Sequence, residues 1–133
     1  MRSTHRTNTN MEKENKVLLE TELKIAKAVA TALDSKKAVD ITVLEVGKQT
    51  TLADFFVIAT GTSSTHVNAL ADETEYALKT KLGIEPYHVE GKESWILMDY
   101  GTVVVHIFTQ EARKFYDLER LWADNNAVKT DLI

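Results

Sequence analysis

WILMDYGTVVVHIF, residues Trp95 to Phe108, sets two runs of β-branched and large apolar side chains on either side of a Tyr-Gly pair. That pattern reads as an antiparallel hairpin. Ser94 to Asp99 and Thr102 to Thr109 are its strands, and Tyr100-Gly101 is a two-residue loop in which glycine supplies the positive φ. This register sets Asp99 opposite Thr102, Met98 opposite Val103, Leu97 opposite Val104, Ile96 opposite Val105 and Trp95 opposite His106. Side chains alternate along a strand. One face therefore carries Ile96, Met98, Val103, Val105 and Ile107, all apolar, and must be core. The other carries Trp95, Leu97, Asp99, Thr102, Val104, His106 and Phe108. Two readings of this mixed face stand. Either a helix covers it and Trp95 and Phe108 are ordinary packing, or it is open. An open face would have the make-up of an interaction hot spot, an aromatic anchor beside fixed polar groups.

Upstream of the hairpin, Tyr87 to Glu90 reads as a short strand at an edge, since Pro86 cannot donate to a ladder. Before it, a helix from about Ser64 to Leu82 carries the stripe Val67, Leu70, Ala71, Thr74, Ala77, Leu78 and Leu82. Ser63 or Ser64 is its N-cap and Gly83 its C-terminal stop. DFFVIAT, Asp54 to Thr60, is apolar on both faces and predicts a strand inside the sheet. Gly47 to Thr51 is a turn, Val39 to Val46 a strand with Val39, Ile41 and Val43 on one face, and Glu12 to Leu33 a first helix. Downstream, Gln110 to Ala123 predicts a last helix with Phe115, Leu118, Leu121 and Trp122 inward. Its pairs Glu111–Lys114, Arg113–Asp117 and Arg120–Asp124 are each worth about 0.2–0.5 kcal/mol. The order α-β-β-α-β-β-β-α implies an α/β fold, a mixed β-sheet of about five strands with helices packed on it. Residues 1–12 read as a flexible N-terminal tail, 13–124 as one domain and 125–133 as a C-terminal tail.

At 133 residues, 44% hydrophobic and 27% charged, the chain can bury one core of its own. It has no cysteine, which excludes disulfides, zinc–thiolate sites and thiol catalysis. A net charge of −4 disfavours gripping phosphate backbones and suits a basic protein patch. No apolar run reaches the roughly 18 residues that cross a bilayer, so no membrane partner is expected. Met1 to Asn10 holds Arg2 and Arg6, no acid and no apolar stretch, which is not a secretory signal. A cytoplasmic bacterial protein is expected, with an organellar one as the alternative.

The search for chemistry is negative. His66 and His106 are the histidines in informative places; His5 sits in the tail and His88 before the short strand, and no two are four residues apart. Two-metal catalysis needs paired carboxylates. Asp99 has none two positions away, and Asp54 stands alone at the head of its strand. Gly61-Thr62-Ser63-Ser64-Thr65 lacks the Gly-x-Ser-x-Gly of a nucleophile elbow. The helix start there could hold an anion, although capping explains the serines as well. Walker and Rossmann glycine patterns are missing. These readings predict no catalytic residue, no cofactor, no metal and no enzyme activity.

Three blocks, DFFVIATGTSSTHVNALAD (Asp54 to Asp72), WILMDYGTVVVHIF (Trp95 to Phe108) and RKFYDLERLW (Arg113 to Trp122), closely resemble the ribosomal silencing factor, or Iojap-related, family. They come in the family's order and at its spacing, and the resemblance covers roughly residues 13 to 124. It implies binding to the large ribosomal subunit through ribosomal protein uL14, steric blocking of small-subunit joining, and repression of translation in starvation or stationary phase. It also implies a fold distantly similar to nucleotidyltransferases without their catalytic residues. Organellar relatives act in large-subunit assembly. Gly61, Ser63, Ser64, His66, Trp95, Asp99, Tyr100, His106, Tyr116, Leu118 and Trp122 match signature positions. The resulting partner-binding set is Trp95, Leu97, Asp99, Tyr100, Thr102, His106 and Tyr116. Within it Trp95 and Leu97 are anchors, and Asp99 and His106 are polar partners. The chain departs from the family pattern at Thr102, where Asp is usual, and at Thr65, where Arg is frequent. The first departure removes a carboxylate from the face that would meet a basic partner; the second removes a basic residue from the helix start. Alternatives are an assembly factor that touches ribosomal RNA directly and a nucleotidyltransferase-like enzyme with nucleotide and metal at Gly61 to Ser64. A free homodimer through the same aromatic face is a further expectation.

Overall fold

The computed structural model describes residues 20–47, 53–123 and 128–130. The first helix, α1, is described over 20–35; its expected first turns, from Glu12, and most of the Gly47 to Thr51 turn lie outside the described residues. Then come β1 (Val39–Glu45), β2 (Phe55–Gly61), α2 (Ser64–Leu82), β3 (His88–Lys92), β4 (Trp95–Asp99), β5 (Val103–Thr109), α3 (Gln110–Tyr116), α4 (Leu118–Ala123) and β6 (Val128–Thr130). The strands form one mixed sheet in the order β3-β4-β5-β2-β1-β6. Among the described strands the central seam, β2 with β5, is parallel and the other pairs are antiparallel.

The apolar run of β2 ends in the middle of the sheet because both of its faces are covered: Phe55, Val57, Ile58, Ala59 and Thr60 are all buried. On one side lie α1, through Ala26, Val29, Ala30 and Leu33, and α2, through Val67, Leu70, Ala71 and Leu78. α2 starts and stops where local chemistry says it should. Ser63 accepts the His66 N–H through its side chain, and Gly83, at φ 67, donates its N–H to the carbonyls of Leu78 and Lys79.

The β4–β5 hairpin keeps the expected faces and changes the expected register. Trp95 pairs with Phe108, Ile96 with Ile107, Leu97 with His106, Met98 with Val105 and Asp99 with Val104. The loop is therefore Gly101-Thr102, not Tyr100-Gly101. Its closing bond runs from the Tyr100 N–H to the Val103 carbonyl at 2.9 Å. Gly101 at φ 87 takes the first loop position and Thr102 keeps a negative φ, the sign pattern of a II′ turn. The Asp99 carboxylate accepts the Gly101 N–H at 2.7 Å and braces the turn. Both registers share one parity, so the alternation was right while every cross-strand pair was wrong. Tyr100 extends the Ile96–Met98 row and is buried on the helix side.

Three other expectations fail. In β1 the register shifts between Val39 and Thr42, and Asp40 takes φ 49. Val39 is thrown out to 41% exposure, while Ile41 and Val43 still pack inward. The last helix is two helices. Asp117 adopts the left-handed conformation (φ 48, ψ 49) and ends α3. Tyr-Asp-Leu contains no glycine, so the periodicity reads straight through this break. The break turns the stripe outward. Phe115 is 81% and Leu121 56% exposed, Leu118 is half-buried, and the Trp122 side chain lies outside the described residues. Finally, β6 falls in the stretch read as a tail and pairs with β1, Leu44 opposite Lys129, which makes the sheet six-stranded.

Candidate functional site

The sheet face away from α1 and α2 is neither fully covered nor fully open. A second core of Leu44, Val46, Ala53, Ile58, Phe108 and Ala112 lies there, with Phe56, Trp95, Val104 and Leu118 packed half-buried against it. Ala112 is the buried foot of α3, whose N-cap Thr109 is the last residue of β5. The α3–α4 corner thus covers one side of the face and stops at Trp95.

Trp95 is the centre of an aromatic cluster. Its ring stacks on Phe108 at 5.0 Å between centroids and 29°, and Tyr116 leans on it at 4.5 Å and 46°. Its indole N–H donates to Nδ1 of His106 at 3.3 Å. Phe56 meets the His106 ring edge-on at 5.0 Å. Burial with no compensating charge pushes the His106 imidazole down to about 4. The ring is therefore neutral, and because Nδ1 accepts from Trp95 its proton sits on Nε2, a buried nitrogen with no partner among the described residues.

The site residues expected from sequence separate into groups. Trp95, Leu97, Asp99 and Tyr116 come together on this face, with Trp95, Leu97 and Asp99 half-buried and Tyr116 47% exposed. Thr102 lies half-buried at the loop, where its carbonyl accepts the N–H groups of Asp54 and Phe55 and pins the loop to the head of β2. His106 is buried, and its ring accepts the Trp95 indole N–H from beneath the face. Tyr100 does not belong to the face at all. Its hydroxyl is buried without a partner among the described residues, and burial, then the nearby Glu75 charge, pushes its pKa up to about 12. A hollow of about 220 Å³ beside Trp95 and Leu97 is bordered by Glu90 and Gly91 of β3, so the open part of the face runs to the sheet edge.

A second concavity, of about 390 Å³, lies outside the C-terminal ends of β2 and β5, between Thr60, Gly61, Thr62, Gln110, Arg113 and Lys114. α2 and α3 leave these parallel strands toward opposite faces, so this is the switch point at which α/β sheets hold ligands. The guanidinium there is committed to the protein itself, with bonds to Asp40, Thr42, Thr60 and Glu119. The Ser63 side chain is engaged as the N-cap. The Thr62 N–H donates to His66 Nδ1 at 2.8 Å, and His66 Nε2 donates to the Lys36 carbonyl at 2.7 Å, tying α2 to the turn after α1. Among the described residues no group of three or more His, Cys, Asp or Glu side chains is placed to hold a metal ion. Asp54 is not alone, as its sequence neighbourhood suggested. It shares a hydrogen bond with Glu22 of α1, whose carboxyl is pushed up to about 7 by burial and then by Asp54. That pair sits at the head of β2, the opposite end from the switch point.

Fold and site together define an α/β module that completes one face of its sheet and leaves an aromatic cluster on the other half-covered. A sequence model of the family described as "Ribosomal silencing factor during starvation" matches residues 19–133. The ribosomal silencing factor RsfS of Haemophilus influenzae is 42% identical over 93 residues, covering 68% of this chain and 90% of that protein. The RsfS of Halalkalibacterium halodurans is 39% identical over 102 residues, covering 75% and 86%. A mouse protein named for mitochondrial assembly of the ribosomal large subunit is 35% identical over 101 residues, covering 71% of this chain and 43% of its own length. The crystal structure of a protein from Chromobacterium violaceum superposes with a TM-score of 0.72 at 38% identity, covering 75% of this chain and 84% of that one. This chain belongs to the ribosomal silencing factor family. Among the described residues no helix is long and apolar enough to cross a membrane.

Proposed function

We propose that this protein binds the large ribosomal subunit through ribosomal protein uL14 and blocks small-subunit joining by occupying that face. The observation that carries the reading is the half-covered cluster of Trp95, Leu97 and Tyr116: aromatic and apolar area bordered by Glu90 and left without a cover by the described chain. Rigid aromatic anchors inside a polar rim are what a binding hot spot needs. The net charge of −4 suits a basic protein surface better than bare RNA. Silencing then needs no catalysis, only residence on the surface that the other subunit requires.

Cosedimentation with purified large subunits in sucrose gradients tests the surface. Trp95→Glu removes binding in this reading. Because Trp95 also packs on Phe108 and Tyr116, Leu97→Arg is the cleaner probe, since Leu97 is half-exposed and at the rim. Undiminished cosedimentation of a folded Leu97→Arg protein would sink the assignment. Adding the protein to separated subunits and measuring how many whole ribosomes re-form tests the steric block. The name of the mouse relative supports a second use of the same docking, in large-subunit assembly. An accumulation of incomplete large subunits in cells lacking the protein would favour it.

A further inference from the structure

We infer that Arg113 is a positioning residue for the docking surface: its guanidinium locks the α3–α4 corner onto the ends of β1 and β2 and thereby holds Tyr116 over Trp95. The inference rests on the docking role proposed for that face.

Arg113 joins four elements. Nη1 donates to the Asp40 carbonyl at 2.6 Å and to the Thr60 hydroxyl at 2.9 Å, and Nη2 donates to the Thr42 hydroxyl at 3.0 Å. Nε donates to the Glu119 carboxylate at 2.7 Å, and the Arg113 side chain is 13% exposed. The irregularity in β1 is what aims the Asp40 carbonyl at this point, with Asp40 at φ 49. The Glu119 bond crosses the Asp117 break, so a single side chain fixes α3 to the sheet and α4 to α3.

The two helices of the corner are short. α3 has seven residues and α4 six, far below the length at which a helix is stable unaided. Phe115 and Leu121 are largely exposed, and among the described side chains Ala112 and Leu118 are the ones that the corner lays on the second core. Tyr116 lies one helical turn beyond Arg113, and its contact with Trp95 depends on where that turn is held. Lysine cannot replace the clamp. One ammonium on a flexible stem does not meet a carbonyl, two hydroxyls and a carboxylate in the fork geometry that guanidinium presents.

The test uses the full chain with Trp122→Phe, so that fluorescence reports Trp95 alone. Arg113→Gln and Arg113→Lys are each expected to raise acrylamide quenching of Trp95 about twofold while the far-ultraviolet spectrum persists. Their affinity for purified large subunits is expected to fall about tenfold, the equivalent of about 1.4 kcal/mol. The deciding measurement is the double variant with Tyr116→Ala. If Arg113 acts through Tyr116, Arg113→Gln costs nothing further in that background. An equal loss with and without Tyr116 would mean a merely structural role and would overturn the inference, as would unchanged quenching. If Arg113→Gln does not fold, Glu119→Gln releases the corner half of the clamp and carries the same comparison. Should Trp95→Glu and Tyr116→Ala both bind like wild type, the docking role fails, and quenching still decides whether Arg113 seats Tyr116 on Trp95.

Discussion

The two faces of the β4–β5 hairpin are built from the same few residues and end in different states. On the helix side, Ile96, Met98, Tyr100, Val103, Val105 and Ile107 are all buried beneath α1 and α2. On the other side His106 and Phe108 are buried, but Trp95, Leu97, Asp99 and Val104 keep part of their surface in water. The first face is finished by long helices with matching stripes. Among the described residues the second is covered by a short, bent corner that reaches Trp95. The difference separates residues that hold the fold together from residues held ready for something else.

The largest effect should come from breaking the finished face. Ile107→Asp places a carboxylate where nothing solvates it. That costs several kcal/mol, comparable to the about 5–15 kcal/mol that keeps a domain folded. Loss of the cooperative denaturation transition is expected. Leu97→Arg, on the neighbouring strand and opposite face, should change the unfolding free energy by less than about 1 kcal/mol yet reduce large-subunit binding at least tenfold. If the two variants behaved alike, the distinction between the faces would collapse.

A smaller effect tests the buried part of the second face. Burial holds His106 at about 4 in the folded chain, against 6.5 when unfolded. The unfolded chain therefore takes up this proton first as the pH falls. The stability that depends on neutral His106 is complete above 6.5 and drains away between 6.5 and 4. His106→Phe should flatten that limb in denaturation measured across pH. Glu22 works in the opposite sense, because its folded pKa is raised to about 7. Its contribution is complete below 4.5 and lost as the pH rises through 7, so Glu22→Gln should remove a decline in stability between 4.5 and 7. The smallest effect is expected at the loop. Thr102→Asp should shift stability by no more than about 0.5 kcal/mol and tighten binding to a basic partner at low salt only. A gain that survives high salt would argue that the loop binds by shape instead.

Much of this was legible in the sequence. Alternation alone separated Ile96, Met98, Val103, Val105 and Ile107 from Trp95, Leu97, His106 and Phe108, because strand parity does not depend on which residues make the turn. Ser63 and Gly83 announced the ends of α2 through local chemistry. What stayed hidden was set by distance or by single backbone angles. Tyr100 was misplaced because two loop positions for Gly101 keep the same parity; counting it in the Ile96–Met98 row would have put it inside. The Asp117 break, the irregularity at Asp40 and the Glu22–Asp54 pair have no local signature. The Arg113 clamp depends on residues 53 to 73 positions away, so no window of sequence contains it.

The parallel seam has a consequence for how the chain reaches this shape. The β3–β4–β5 meander is made of neighbours in sequence and can close quickly by hairpin steps. The β2–β5 seam joins Phe55 to Val103, so the whole of α2 and that meander must be gathered before the first seam bond forms. Closing so wide a loop is entropically slow. The parallel seam is therefore stitched after the meander, and refolding should be paced by α2 docking on a hairpin that already exists.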